Sequence, residues 1–169
     1  MKYLVRGIGG LIAAAAFVWL CGLLLPLEHE ASATVRVNAP PEAVWAVLTA
    51  VKDYPRWRSD VAMAEIVALK PELSWKESDA RGRVTWHAAR GMPGGPADKW
   101  MDRILKGDPP QAGERTFLIV AGEDGGTRVA ITEVAEVRDP LARFRARFVT
   151  GYAENLKKLL EDLRKRLAE

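Results

Sequence analysis

A chain of 169 residues, 49% of them apolar and 28% charged, holds enough hydrophobic material for one packed domain and too much for a disordered one. The net charge is +3, and Lys2 and Arg6 supply two of those charges, so the rest of the chain is nearly neutral. That balance gives no electrostatic footprint for nucleic acid, and the lone Cys21 excludes an intrachain disulfide and a cysteine-based metal site.

Between Arg6 and Glu28 lie 21 residues without a charge, GIGGLIAAAAFVWLCGLLLPL. As a helix, this run would span roughly 30 Å, the thickness of a bilayer core. Lys2 and Arg6 precede it and Glu28 and Glu30 follow it. Positive charge stays on the cytoplasmic side. This predicts a cytoplasmic N-terminus at 1–6, an anchor at 7–27, a linker at 28–32 and a folded domain at 33–169. The domain would lie on the extracytoplasmic face of an inner or plasma membrane. Gly7, Gly9, Gly10 and Ala13 to Ala16 form a small-residue face able to pack on another helix, although small residues are common in membrane helices generally. A competing reading is a cleaved signal peptide, because Ala31-Ser32-Ala33 is an A-x-A site; cleavage at Ala33 would leave a secreted or periplasmic domain. The apolar run exceeds the roughly 7–15 residues of a signal core, which favours the retained anchor. Bulky Leu20 before Cys21 argues against a lipoprotein signal.

Thr34 to Asn38 alternates Val35 and Val37 with Arg36, a strand signature. Ala39-Pro40-Pro41 ends the strand, and Pro41 with Glu42 suits the first turn of a helix. Val44, Trp45, Val47, Leu48 and Val51 recur at helical spacing. Asp53-Tyr54-Pro55-Arg56-Trp57 then makes an aromatic turn ahead of Val61. In its Ala39–Trp45 helix start and its Tyr-Pro-x-Trp turn, the chain resembles the START-like (SRPBCC) superfamily, in particular its polyketide cyclase/dehydrase and coenzyme Q-binding branch. The resemblance implies an α+β helix-grip fold: an antiparallel sheet of about seven strands wrapped around a long C-terminal helix. It also implies a hydrophobic cavity between the two. The motif marks a fold and carries no catalytic residue, so it leaves function open.

Further strands are predicted at Val61–Lys70, Glu72–Glu77, Arg83–Arg90, Lys99–Leu105, Arg115–Ala121 and Thr127–Val137. The Gly91–Pro96 breaker cluster reads as a loop at a cavity mouth, and Gly122–Gly126 as a hairpin turn. Asp139–Glu169 reads as one long helix with Asp139 as its N-cap and Leu141, Phe144, Phe148, Tyr152, Leu156 and Leu160 on its apolar face. Gly151 inside that helix costs about 1 kcal/mol against alanine, marking a need for space or a tolerated glycine.

Alternation in the last strand puts Glu133 inward with Val129 and Ile131. The same logic makes Asp102, beside Trp100 and Ile104, a second candidate inward acid. These two are the candidate catalytic residues. A structural reading pairs Glu133 with an arginine such as Arg103 or Arg90, and is weighted somewhat higher. His87 falls opposite Val84, Trp86 and Ala88 and so reads as a surface or partly satisfied histidine. No metal site and no cofactor motif is present. Trp57, Trp86, Trp100, Ile131, Glu133, Phe148 and Tyr152 are the candidate ligand-binding residues, lining a pocket for a flat or greasy molecule. The expected function is a membrane-tethered domain binding a lipid, quinone or similar molecule. The alternatives are a cyclase/dehydratase-type enzyme using an inward carboxylate and a cell-envelope interaction module using the basic C-terminal helix. Binding is favoured over catalysis.

Overall fold

A computed structural model describes residues 2–70, 72–89, 99–106, 111–123 and 125–169, with backbone alone at 2–8, 99–101, 103, 105, 106 and 111. The Gly91–Pro96 loop lies outside the described residues. The N-terminal run forms α1 (Lys2–Leu24). The domain follows as β1 (Glu28–Val37), α2 (Pro41–Thr49), a 3-10 turn (Val51–Asp53), α3 (Tyr54–Trp57), β2 (Met63–Ala68), β3 (Ser74–Ser78), β4 (Val84–Ala89), β5 (Lys99–Lys106), β6 (Gln111–Ala121) and β7 (Thr127–Val137). It ends in α4 (Pro140–Arg145), a π-helical turn (Ala146–Thr150) and α5 (Glu154–Arg166).

Every described strand pairing is antiparallel, in the order β1-β7-β6-β5-β4-β3-β2. The first strand therefore pairs with the last. Helices α2 and α3 carry the chain from one sheet edge to the other. Pro40 sits extended (φ −69°, ψ 157°) and Pro41 opens α2, as the fixed proline φ and missing N–H favour. Val44, Trp45 and Leu48 bury one face of α2. The Tyr54 hydroxyl donates to the Leu48 carbonyl at 2.7 Å, fixing the angle between α2 and α3.

The core fills the concave face of the sheet. Val37, Trp75, Phe117, Ile119, Val129 and Ile131 come from the strands, and Leu156, Leu159, Leu160 and Leu163 from α5. Burying each such leucine is worth about 1.5–3 kcal/mol. The Ser59 backbone N–H (2.8 Å) and hydroxyl both donate to the Asp162 carboxylate, which pins α5 beside the end of α3.

Two boundaries differ from the sequence reading. β1 begins at Glu28, so the segment read as a linker is strand, paired with β7 from Glu28↔Glu136 onward. Its small and charged residues obscured a pattern that backbone pairing supports without them. The C-terminal segment is not one helix: Gly151 adopts φ 78°, ψ 147°, which only glycine reaches cheaply, and the chain breaks there. Thr150 and Val149, both β-branched, precede the break. Only α5 lies in the grip of the sheet.

Among the described residues no helix is long and apolar enough to cross a membrane. Helix α1 instead packs against α4. A Cβ at Gly22 would overlap the Pro140 carbonyl, and Ala14, Ala15 and Val18 line a groove of about 580 Å³ with Leu11, Trp19 and Leu141. Part of the small-residue face thus meets the chain's own C-terminal segment, while a Cβ at Gly9 or Gly10 would meet nothing.

Candidate functional site

Alternation on the sheet brings an unusual set of side chains to its concave face. Trp75 pairs with His87, Ala89 (two residues from His87) with Asp102, Asp102 with Arg115, Arg115 with Glu133 and Glu133 with Ala31, across five successive strand pairings. Directly opposed residues share a face, so a polar row crosses the interior from α3 to β7.

The row begins at Arg58, buried under α3. Its Nη1 donates to Glu77 Oε1 at 2.9 Å, and its Nε and Nη2 donate to Asp60 at 3.2 and 2.8 Å. The guanidinium carbon lies 4.9 Å from the Tyr54 ring centroid. Glu77 Oε1 also accepts from Trp75 Nε1 at 2.8 Å. Glu77 Oε2 faces His87 Nε2 at 3.7 Å. On its other side, His87 Nδ1 lies 3.0 and 3.1 Å from the Asp102 oxygens, and its ring stacks on Trp75 at 5.1 Å. Asp102 Oδ2 is 3.8 Å from Arg115 Nη1, and Arg115 gives Nε and Nη2 to Glu133 Oε2 at 2.9 and 2.7 Å.

These groups compensate one another. Burial works against charge on Arg58, but Glu77 and Asp60 outweigh it and hold the proton more tightly than usual. Burial opposes charge on Arg115 too, and Glu133 with Asp102 prevails. Burial would raise the Asp60 carboxyl, yet Arg58 brings it below its ordinary value. Burial and then Glu77 push the Tyr54 hydroxyl far above the normal tyrosine range, so it remains a donor. The Asp102 carboxylate lies within hydrogen-bond reach of His87 Nδ1, and Nε2 faces Glu77, so the ring sits between two acids. That Nε2 is buried without a hydrogen-bond partner, and so is Trp57 Nε1.

The row reaches the rim at β7. There His29 on β1 stacks on Tyr152, just past the Gly151 break, with ring centroids 4.2 Å apart. Burial lowers the His29 pKa, with Glu133 opposing it, so the neutral imidazole is the form this stack favours. Ala31, Ala89 and Ala135, all buried, put small side chains beside the charged row.

Glu133 and Asp102 both lie on the inner face, each paired with Arg115. The sequence named Arg103 or Arg90 as the partner of Glu133; the register selects Arg115, directly opposite. Ile131 is fully buried in the core, and Trp57 is half-buried, edge-on to Tyr54 at 5.6 Å. Tyr152 stands at the rim. Two expectations are corrected. Trp86, 39% exposed, lies on the outer face, and Phe148, 62% exposed, projects from the π-helical turn against Phe144 and away from the concave face. The Trp100 side chain is outside the described residues. His87 is buried, not on the surface: its face was judged by apolar content, and the inner face here is partly polar. Sequence reasoning missed Arg58, Glu77, Arg115 and His29. For Arg115 a signal exists, since it alternates in phase with Phe117 and Ile119.

Among the described residues no group of three or more histidine, cysteine or acidic side chains is placed to hold a metal ion.

The family model for polyketide cyclase / dehydrase and lipid transport matches residues 28–168. No curated protein matches the chain by sequence. Among solved structures, a START superfamily protein from Mycobacterium smegmatis superposes with TM-score 0.65 at 21% identity, over 83% of this chain and 97% of the other. The Zhui aromatase/cyclase from Streptomyces sp. R1128 gives 0.71 at 14% identity, over 83% and 94%. A norcoclaurine synthase from Thalictrum flavum gives 0.64 at 11% identity, over 86% and 97%. Identities this low speak to the fold alone.

Proposed function

The chain belongs to the polyketide cyclase / dehydrase and lipid transport family, within the START-like superfamily, and on that premise we propose that it is a membrane-tethered domain that binds a hydrophobic small molecule. A lipid, a quinone or a similar molecule would sit on the concave face between sheet and C-terminal helix, at the end that α5 leaves to small side chains. The observation that carries this reading is the polar row ending at Glu133, beside the His29–Tyr152 stack and next to an apolar wall. A pocket that is mostly apolar with a few fixed polar groups suits an amphiphile whose head needs orientation. The uncharged run in α1 and the positive charges before it support tethering, with the N-terminus cytoplasmic and the domain outside.

Native mass spectrometry of the full chain, purified from membranes in mild detergent, tests the binding. The expected result is a co-purifying apolar molecule that organic solvent removes. A ligand-free protein that takes up nothing from a total lipid extract would sink the reading. A reporter fused after Glu169 tests orientation, and its activity on the cytoplasmic side would overturn it. The intact mass of the mature chain separates a retained anchor from cleavage at Ala33.

One feature favours a second reading, an acid–base enzyme of the cyclase/dehydratase type. Asp102 holds His87 at Nδ1, and the buried Nε2 has no hydrogen-bond partner, a carboxylate-oriented imidazole of the kind used in proton transfer. Water-eliminating ring closure of a linear poly-β-ketone thioester, abolished in Asp102→Asn, would support it. No turnover by the lipid-free protein would count against it.

A further inference from the structure

We propose that the membrane contact of this chain is a two-part surface, in which α4 and the π-helical turn lie beside α1 and enter the headgroup region of an anionic bilayer. The inference rests on the reading of α1 as a bilayer element and adds a second element to it.

The two segments are packed, and not only joined. Gly22 meets the Pro140 backbone without room for a Cβ. Arg143, itself buried, donates from Nη1 to the Leu25 carbonyl at 2.9 Å, so a carbonyl just past the end of α1 is satisfied from the C-terminal segment. Whatever surface α1 touches, α4 is held against it.

Both segments expose large apolar side chains. On α1, Leu11 borders the groove toward Leu141, and Ile12, Phe17, Leu20 and Leu24 are exposed on its other sides; on the C-terminal segment, Leu141, Phe148 and Val149 are 51%, 62% and 70% exposed. Single exposed hydrophobics are ordinary, but this many on two segments packed together mark an interaction surface. The charges choose the occupant. From Pro140 to Gly151 the chain carries Arg143, Arg145 and Arg147 and no acid. Arg145 and Arg147 are exposed and make no ion pair among the described residues. A second copy of the chain would bring like charge onto like charge. Anionic lipid headgroups complement it, and long arginine side chains beside an apolar ridge can reach phosphates while their stems stay in the acyl boundary. The π-helical turn leads through Gly151 to Tyr152 at the rim, so docking turns the rim toward the bilayer.

The test uses the full chain carrying Cys21→Ser, with a fluorophore on Phe148→Cys or, as a remote control, on Arg81→Cys in the turn before β4. Both are reconstituted into phosphatidylcholine vesicles with and without phosphatidylglycerol. Brominated lipids are expected to quench the probe at 148 several-fold more than the probe at 81, and more strongly with phosphatidylglycerol. The double variant R145E/R147E should remove the phosphatidylglycerol-dependent part while the protein still floats with the vesicles. Equal quenching at 148 and 81 in floating protein overturns the proposal but leaves the anchor standing. So does ready 148-to-148 disulfide formation by the unlabelled Phe148→Cys protein under a mild added oxidant, together with no quenching of the labelled protein, which would name a second copy as the occupant. Protein that does not float at all defeats the anchor and this proposal together.

Discussion

At the scale of single residues, the interior row decides what substitutions do. Arg115 neutralises Asp102 and Glu133, both largely buried. Removing it strips Glu133 of its arginine partner and leaves Asp102 with His87 alone, and breaking such a pair in a buried setting costs about 3–5 kcal/mol. Arg115→Ala should therefore lower the urea midpoint at unchanged slope, and a loss below about 1 kcal/mol would mean that solvent screens the row. His29 gives a pH dependence of definite sign. Its folded pKa lies below the ordinary 6.5 because burial opposes the charge. The stability tied to the neutral ring is full above pH 6.5 and is lost as pH falls below that value toward the folded one. Thermal unfolding should show a decline in that window that His29→Gln abolishes; an unchanged profile in the variant would refute it. Which of these residues could be read from sequence depended on strand phase. Glu133 and Asp102 were readable as inward because their neighbours Ile131 and Ile104 are apolar. His87 was not, because the face of Val84 and Trp86 looks the more hydrophobic, and hydrophobicity misleads where the inner face holds paired charge. The ion pairs themselves could not be read, since they join residues on different strands whose register a single sequence does not state.

Elements were more legible than partners. The proline pair before α2, the glycine-rich hairpin turns and the period of β7 follow from local chemistry, and the strands formed close to their expected places. Gly151 was visible as an anomaly, but its meaning needed backbone geometry: a position at φ 78° is strained for any residue with a Cβ. Gly151→Ala should destabilise the protein by about 1 kcal/mol or more. It should also loosen the rim, seen as faster hydrogen exchange at Tyr152. If instead the variant is more stable and more helical, the break is an accident of packing and not a requirement. A substitution at Gly22 acts elsewhere. Gly22→Leu should separate α1 from α4, and Arg143 would lose its acceptor on Leu25. Protease cleavage between α1 and β1 should then accelerate while the cooperative melt of the sheet stays within about 0.5 kcal/mol of the parent.

For the whole molecule, the family was legible from under thirty residues, whereas the ligand is not written in any motif. A domain that holds an apolar guest should be stabilised by it through mass action: at a hundred-fold excess over Kd the gain is about 2.7 kcal/mol. Delipidated protein should melt lower than protein as purified, and total lipid extract should restore the higher value. Identical melting before and after delipidation would argue for an interior that is simply core. The sheet order has a consequence of another kind. β1 is the first strand to leave the ribosome, and its partner β7 is the last, about a hundred residues later (Glu28 meets Glu136). Until then β1 presents an open edge to any extended chain nearby. The whole stretch from β1 to β7 must be made before that edge closes, so the nascent protein passes through a long interval in which a chaperone would find its first strand still free.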